Sequence, residues 1–336
     1  MRITSRQILL LTTIDTEEDN WDRTPGKITV DNVQELPGFA ELLDGLGVRP
    51  TFFTAYQVAA DPSAASVMRE IAARGRSEIG AHLHPWNTPP LGEKLTPENS
   101  MLSNLPLELQ MAKLETLTRC LTDLFGRQPT AFRAGRLGLG PGTTEALARF
   151  GYRVDSSVAP YLPLEPTPGM PNFSGAPVTP YRLMPGSDVR RPHSAGTLAE
   201  VPLSAGFSRT PFPFWERVFD RLSGPTARRL RIPGVASRTG LIKKLILSPE
   251  IESVDDMLTL SRRLIEQGVS HLNLLMHSPT LRPGLTPYTQ TTQDVRRFRA
   301  SLTEYFGRLS EMADVAFATV SEAAERLCAE PSAVAA

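Results

Sequence analysis

Short apolar runs alternate with amphipathic stretches through most of the chain. Gln7–Ile14 (QILLLTTI) is almost continuously apolar and runs into acidic residues, the pattern of a buried parallel strand. Val33–Leu46 carries apolar residues at helical spacing and ends among glycines, which predicts a helix. Pro50–Ala55 and Ser77–His84 read as strands, with a helix at Ser63–Arg74 between them. Pro106–Phe125 has the plainest helical stripe, formed by Leu107, Met111, Leu114, Leu117, Leu121 and Leu124 and closed by Gly126. Strands at Thr130–Arg133 and Tyr152–Asp155 bracket a helix at Thr143–Phe150. The alternation predicts a parallel sheet or barrel with right-handed crossovers. The polar residues gather in the loops after the strands, as on the working face of a barrel.

The middle of the chain breaks this rhythm. Pro160–Pro192 is rich in Pro, Gly and Ser and reads as a loop or irregular hairpin, followed by a strand at Leu198–Leu203. From Arg209 to Lys244 there are nine basic residues against two acidic ones. Alternation then resumes: a helix at Val254–Gln267, a strand at Leu272–Met276, a helix at Thr292–Met312, a strand at Val315–Thr319 and a helix at Ser321–Leu327. Strands on both sides of the interruption predict one domain over residues 1–336, with an inserted loop-rich and basic segment at about 160–244.

Composition narrows the chemistry. Lys+Arg and Asp+Glu each number 36, so there is no basic excess and nucleic acid is not the expected partner. Cys120 and Cys328 are too few for a disulfide framework or a cysteine zinc site, which leaves His, Asp and Glu as candidate metal ligands. No apolar run approaches the ~18 residues of a spanning helix. The early run meets Asp15, Glu17 and Glu18 with no small-residue cleavage site, so the expectation is a cytoplasmic protein without a transmembrane segment.

Five histidines are present, and three of them, His82, His84 and His277, stand where a strand enters a loop. Asp15, Glu17, Arg133 and Asp155 stand at other strand ends. In a parallel barrel these ends converge on one pocket. Two imidazoles with a carboxylate suit Zn²⁺ first, with Co²⁺, Ni²⁺ or Fe²⁺ as alternatives, and leave positions open for water. A divalent metal would lower the pKa of that water and polarise a carbonyl. A second carboxylate could act as base and a separate histidine as acid.

TIDTEED (13–19), EIGAHLHP (78–85), FRAGRLG (132–138), GYRVDSS (151–157) and LLMHSP (274–279) occur in this order. Together they resemble the successive motifs of the polysaccharide deacetylase (NodB-homology) family, and most closely its WalW-like branch, linked to bacterial surface-polysaccharide genes. The resemblance spans roughly residues 7–280. It implies an α/β fold, the distorted (β/α)7 barrel of the NodB-homology type. It also implies metal-dependent hydrolysis of an N-acetyl group on an amino sugar. By the same resemblance Asp15 is the general base, His82 and His84 bind metal, His277 is the general acid and Arg133 orients the base. The chain departs from the family pattern twice. Thr16 follows Asp15 where a second aspartate is usual, and the two histidines are two rather than four apart. Alternation puts Glu17 on the side of Asp15, so Glu17 rather than Glu18 is expected to complete the ligand set.

Trp86, Arg136 and Asp155 are the candidate substrate-binding residues; a packing or bracing role suits each of them as well. Trp21 and Tyr288 stand equally between stacking on sugar and packing. His193 and His271 read as non-catalytic. The expected partner is a carbohydrate or amino sugar, free, polymeric or lipid-linked. The aromatic and basic mixture at 207–244 suits either a solvated surface or a peripheral membrane contact. Two other functions fit the same residues: a metal hydrolase of another C–N bond, of the cyclic imide or ureide type, and a non-catalytic sugar-binding or scaffold protein.

Overall fold

The computed structural model describes residues 3–4, 6–19, 28–162, 168–222 and 242–328. Its strands are β1 (Gln7–Thr16), β2 (Thr51–Ala55), β3 (Glu78–Leu83), β4 (Ala131–Ala134), β5 (Val154–Asp155), β6 (Tyr181–Leu183), β7 (Leu198–Glu200), β8 (Ala205–Phe207), β9 (Lys244–Ile246), β10 (His271–His277) and β11 (Asp314–Phe317). Its helices are α1 (Leu36–Gly45), α2 (Tyr56–Ala60), α3 (Pro62–Ala73), α4 (Leu107–Phe125), α5 (Pro141–Arg149), α6 (Phe212–Leu222), α7 (Val254–Glu266), α8 (Thr292–Met312) and α9 (Val320–Leu327).

The main sheet runs β10-β1-β2-β3-β4-β5-β7-β6, with β11 on the lower part of β1. All its pairings are parallel except β6 with β7. The sheet curls. The Ser204 amide bonds to the Asn273 carbonyl at 3.2 Å and the Leu275 amide to the Leu247 carbonyl at 3.0 Å, which draws the chain beyond β7 back against β10. The result is the expected distorted (β/α) barrel, with the C-terminal ends of β1, β3, β4, β5 and β10 on one face.

Alternation along β1 explains both layers of the core. Ile8, Leu10 and Ile14 face outward and pack with residues of α1, α3, α7 and α8. Leu9 and Leu11 face inward with Phe53, Val154 and Val201. The same parity carries Thr13 and Asp15 into the barrel above that apolar floor. Helix ends are well closed. Asp61 accepts from the Ser63 and Ala64 amides at the start of α3, and Thr291 and Thr319 form capping boxes with Asp294 and Glu322. Gly126 ends α4 at φ 70°, the left-handed cap its position predicts.

The interrupted middle holds more order than its composition predicts. β6 lies inside the Pro-rich stretch read as a loop or irregular hairpin, and pairs antiparallel with β7. β8 and β9 form a separate two-stranded ribbon, and α6 follows β8, although no element is expected between Arg209 and Lys244. Phe212, Trp215 and Phe219 turn one face of α6 toward the core cluster that contains Phe207, a spacing masked by the flanking prolines. Three of the described basic residues here lie against the fold itself, while Arg217 and Arg221 are exposed. Arg209 sits 5.6 Å over Trp215, Lys244 5.3 Å over Phe219, and Lys243 pairs with Asp256 at 2.8 Å. Arg228, Arg229, Arg231 and Arg238 lie outside the described residues, as does Trp21. Among the described residues, no helix is long and apolar enough to cross a membrane.

Candidate active site

Strand register assembles the site. Asp15 on β1 is paired in register with His277 on β10, and His82 on β3 with Arg133 on β4. Glu17 and Glu18 follow β1, and His84 follows β3. Glu17 Oε2, His82 Nε2 and His84 Nε2 meet at one point: 3.2 Å from Glu17 to each imidazole and 3.0 Å between the two nitrogens. All three side chains are buried, and they form a group of His and carboxylate residues able to hold a metal ion.

Hydrogen bonds fix the tautomers. His82 Nδ1 lies 3.0 Å from the Arg133 carbonyl, and only a protonated Nδ1 can donate to it. His84 Nδ1 lies 2.9 Å from Glu18 Oε1 and donates in the same way. Both Nε2 atoms therefore turn lone pairs toward each other and toward a carboxylate. A proton or a metal ion between them relieves this. The charge balance favours a divalent ion, because Glu17 and Glu18 pair with histidines alone among the described residues. Glu17 Oε1, buried and without a hydrogen-bond partner, is a further donor atom at the same place. The residues therefore fit a divalent metal held by one carboxylate and two imidazoles, with coordination positions to spare. Burial works against charge on Glu17, but His277, His82 and His84 outweigh it and hold its carboxyl far below the usual range. Burial also lowers His84, yet Glu18 and Glu17 raise it to about 10.

Gly135 makes room for this arrangement. A Cβ there would strike the His84 ring and the Leu83 carbonyl. The next two residues, Arg136 and Leu137, stand in the left-handed region at φ 52° and 55°, a conformation that costs energy without glycine. The turn brings the Arg136 guanidinium 4.9 Å over the Trp86 ring and within 3.0 Å of Ser100 Oγ. Trp86 itself stacks on His84 at 4.1 Å. The indole thus touches both an imidazole and a guanidinium. Trp86 and Arg136 wall a cavity of about 370 Å³ with Leu95, Pro97, Asn99 and Ser100.

Arg133 is fully buried and spends its donors on three atoms. It reaches Asp15 Oδ1 at 2.8 Å, the Ser156 carbonyl at 2.8 Å and Ser156 Oγ at 3.1 Å. Asp15 Oδ2 is left facing the site, 3.9 Å from both His82 Nε2 and His277 Nε2. His277 Nδ1 donates to Glu250 Oε2 at 2.8 Å, and its backbone amide binds Glu250 Oε1 at 2.9 Å. Burial pulls the His277 imidazole down, but Glu250, Glu17 and Asp15 raise it to about 10. No motif points to Glu250. It lies in the loop after β9, and only the tertiary fold brings it to the histidine.

Asp155 lies in the interior, at the end of β5. It is buried behind Arg133, accepts from the Ser157 amide and hydroxyl at 2.9 and 2.8 Å, and faces Glu200 in register on β7. Desolvation raises both carboxyls, Glu200 the more strongly. His271 is buried at the opposite end of β10, and His193 lies in the exposed loop before β7.

No family model matches the chain, and no curated protein matches it in sequence. Solved structures do. A protein from Mycobacterium smegmatis provisionally described as a polysaccharide deacetylase is 18% identical, with 96% of this chain and 92% of that one covered and a TM-score of 0.53. A glycoside hydrolase/deacetylase from Parabacteroides distasonis, also provisionally described, is 13% identical over 97% of this chain and 72% of its own, with a TM-score of 0.56. PuuE allantoinase is 12% identical over 94% and 88%, with a TM-score of 0.53. These likenesses show the fold: the distorted (β/α) barrel of the polysaccharide deacetylase, or NodB-homology, type.

Proposed function

We propose that the protein is a metal-dependent hydrolase that removes an N-acetyl group from an amino sugar of a bacterial surface polysaccharide or its precursor. The observation that carries this reading is the meeting of a Glu–His–His cluster with an arginine-held aspartate and a glutamate-held histidine at one end of the barrel. The five ordered motifs and the fold shared with proteins described as polysaccharide deacetylases support the carbohydrate substrate. The surface-polysaccharide setting and the WalW-like branch rest on the motifs alone.

Glu17, His82 and His84 would hold the ion, which supplies Lewis acidity to an amide carbonyl. Asp15 acts as general base through Oδ2, the oxygen that faces the site. Arg133 fixes the Asp15 rotamer through their 2.8 Å ion pair. His277, oriented by Glu250, presents Nε2 from the other side and protonates the leaving amine. Base and acid atoms stand 3.9 Å apart, too far for a hydrogen bond to each other. Trp86 and Arg136 shape the wall beside them, and Asp155 acts from beneath by bracing the Ser157 turn.

Acetate release from N-acetylated amino-sugar oligomers, measured with Zn²⁺ present, tests the reading, with a cyclic ureide as the competing substrate class. Acetate from the sugars is the expected result. Asp15→Asn should lower turnover about 10²–10⁴-fold while metal content is unchanged. Full activity in that variant, or turnover of the ureide alone, would overturn the assignment.

A further inference from the structure

Glu18 and Trp86 stand outside the ligand set and outside the proton transfers, yet both are buried against His84. Glu18 Oε1 accepts two hydrogen bonds, from His84 Nδ1 at 2.9 Å and from the indole Nε1 of Trp86 at 3.0 Å. The Trp86 ring lies nearly parallel to the His84 ring, at an interplanar angle of 20° and a centroid distance of 4.1 Å. The three side chains close a triangle: carboxylate to imidazole, indole to carboxylate, indole on imidazole. Glu18 Oε2 is buried and accepts nothing. Such an oxygen is costly, and its charge is best offset by a cation held on the far nitrogen of the imidazole.

We propose that Glu18 and Trp86 are positioning residues for the metal, acting through His84. Glu18 keeps the proton of His84 on Nδ1, so that Nε2 offers its lone pair, and it contributes the second negative charge that balances a divalent ion. Trp86 fixes Glu18 with its N–H and fixes the ring plane of His84 by stacking. Glu18 is thus an outer partner and not an alternative ligand, although it neighbours Glu17 in sequence. The close spacing of His82 and His84 gives this device its purpose: two imidazoles on one short segment must be aimed separately. His82 is aimed by a backbone carbonyl, and His84 has only side chains to aim it.

The inference rests on the metal reading above, and the test separates the two. Zn²⁺ affinity is measured by titration calorimetry on the full chain, as wild type, Glu18→Gln and Trp86→Phe. The visible absorption of the Co²⁺-loaded proteins is recorded alongside. Glu18→Gln should weaken Zn²⁺ binding about 10- to 100-fold. Trp86→Phe keeps the stacked ring and loses the donor, so its loss should be smaller, and both variants should shift the Co²⁺ bands. A purely structural role would lower the melting temperature of the metal-free protein and leave those bands in place. Zn²⁺ affinity within twofold of wild type, with unchanged bands, would overturn the inference. Should Glu18→Gln fail to fold, Trp86→Phe decides by the same two readouts. Wild-type protein that binds no Zn²⁺ would overturn the metal reading and this inference with it.

Discussion

His271 and His277 stand at the two ends of β10 with the same inward parity, and the barrel treats them in opposite ways. At the lower end burial depresses His271 to about 4, against the weak pull of the Pro202 carbonyl 3.3 Å away. At the upper end burial acts in the same sense on His277, but Glu250, Glu17 and Asp15 overcome it and raise the imidazole to about 10. The difference lies in which residues the strand ends collect. The lower barrel is filled by Leu9, Leu11, Val154 and Ala318, so a histidine there is stable only when neutral. The upper barrel gathers acids at the strand ends, and there the histidines hold Glu17 far below the usual carboxylate range. Charge at one end of this fold is therefore a built property, and neutrality at the other is the default of a packed interior.

The sharpest way to break that contrast is to remove the one buried arginine of the upper end. Arg133→Met leaves Asp15 without its ion pair and Ser156 without its donor. Loss of one partner of a buried pair costs about 3–5 kcal/mol, so chemical denaturation should show a fall of that order and catalysis should fall with it. A loss below about 1 kcal/mol would show that the upper end tolerates an unpaired acid. Glu250→Gln sharpens the same contrast with a smaller effect. Glu250 is the strongest of the charges that raise His277, and removing it should move His277 down by about 1–3 pH units. If His277 is the acid, the alkaline fall of the rate profile moves to lower pH by that interval. An unmoved alkaline limb would show that Glu250 does not set the proton affinity of the acid.

Sequence pattern makes the upper end legible and the lower end nearly so, for a common reason. β1 and β10 are long apolar runs with polar residues at their ends, and the same runs that mark the strands mark where their side chains converge. The pattern fails where an element is too short to show a period. β6, β8 and β9 hold three residues each, and α6 hides its apolar face behind prolines. It fails again where a partner comes from a distant loop. Glu250 reaches His277 across 27 positions, and Asp155 meets Glu200 from another strand. Trp86 stands between sugar stacking and packing in the sequence, and only the structure shows its contacts with His84, Glu18 and Arg136. Glu18 stands behind Glu17 as a ligand candidate in the sequence, and only the structure shows His84 and Trp86 sharing one of its oxygens.

The smallest expected effect comes from the lower end. The folded state holds His271 at about 4, below its ordinary 6.5, so folding favours the neutral ring. This contribution is complete above pH 6.5. As pH falls, the unfolded chain takes up a proton at this residue first, and the contribution is lost progressively as pH falls through about 4. Between pH 6.5 and 5 the loss should reach about 2 kcal/mol at most, since each pH unit corresponds to about 1.4 kcal/mol. His271→Gln keeps a donor for the Pro202 carbonyl and cannot titrate. The variant should be about 1 kcal/mol less stable than wild type at neutral pH, because a packed ring is replaced. Its stability should then fall less steeply between pH 6.5 and 5. Equal slopes for the two proteins would mean that His271 takes up its proton without unfolding. The lower barrel would then have to admit charge after all, and the contrast between its two ends would rest on the acids alone.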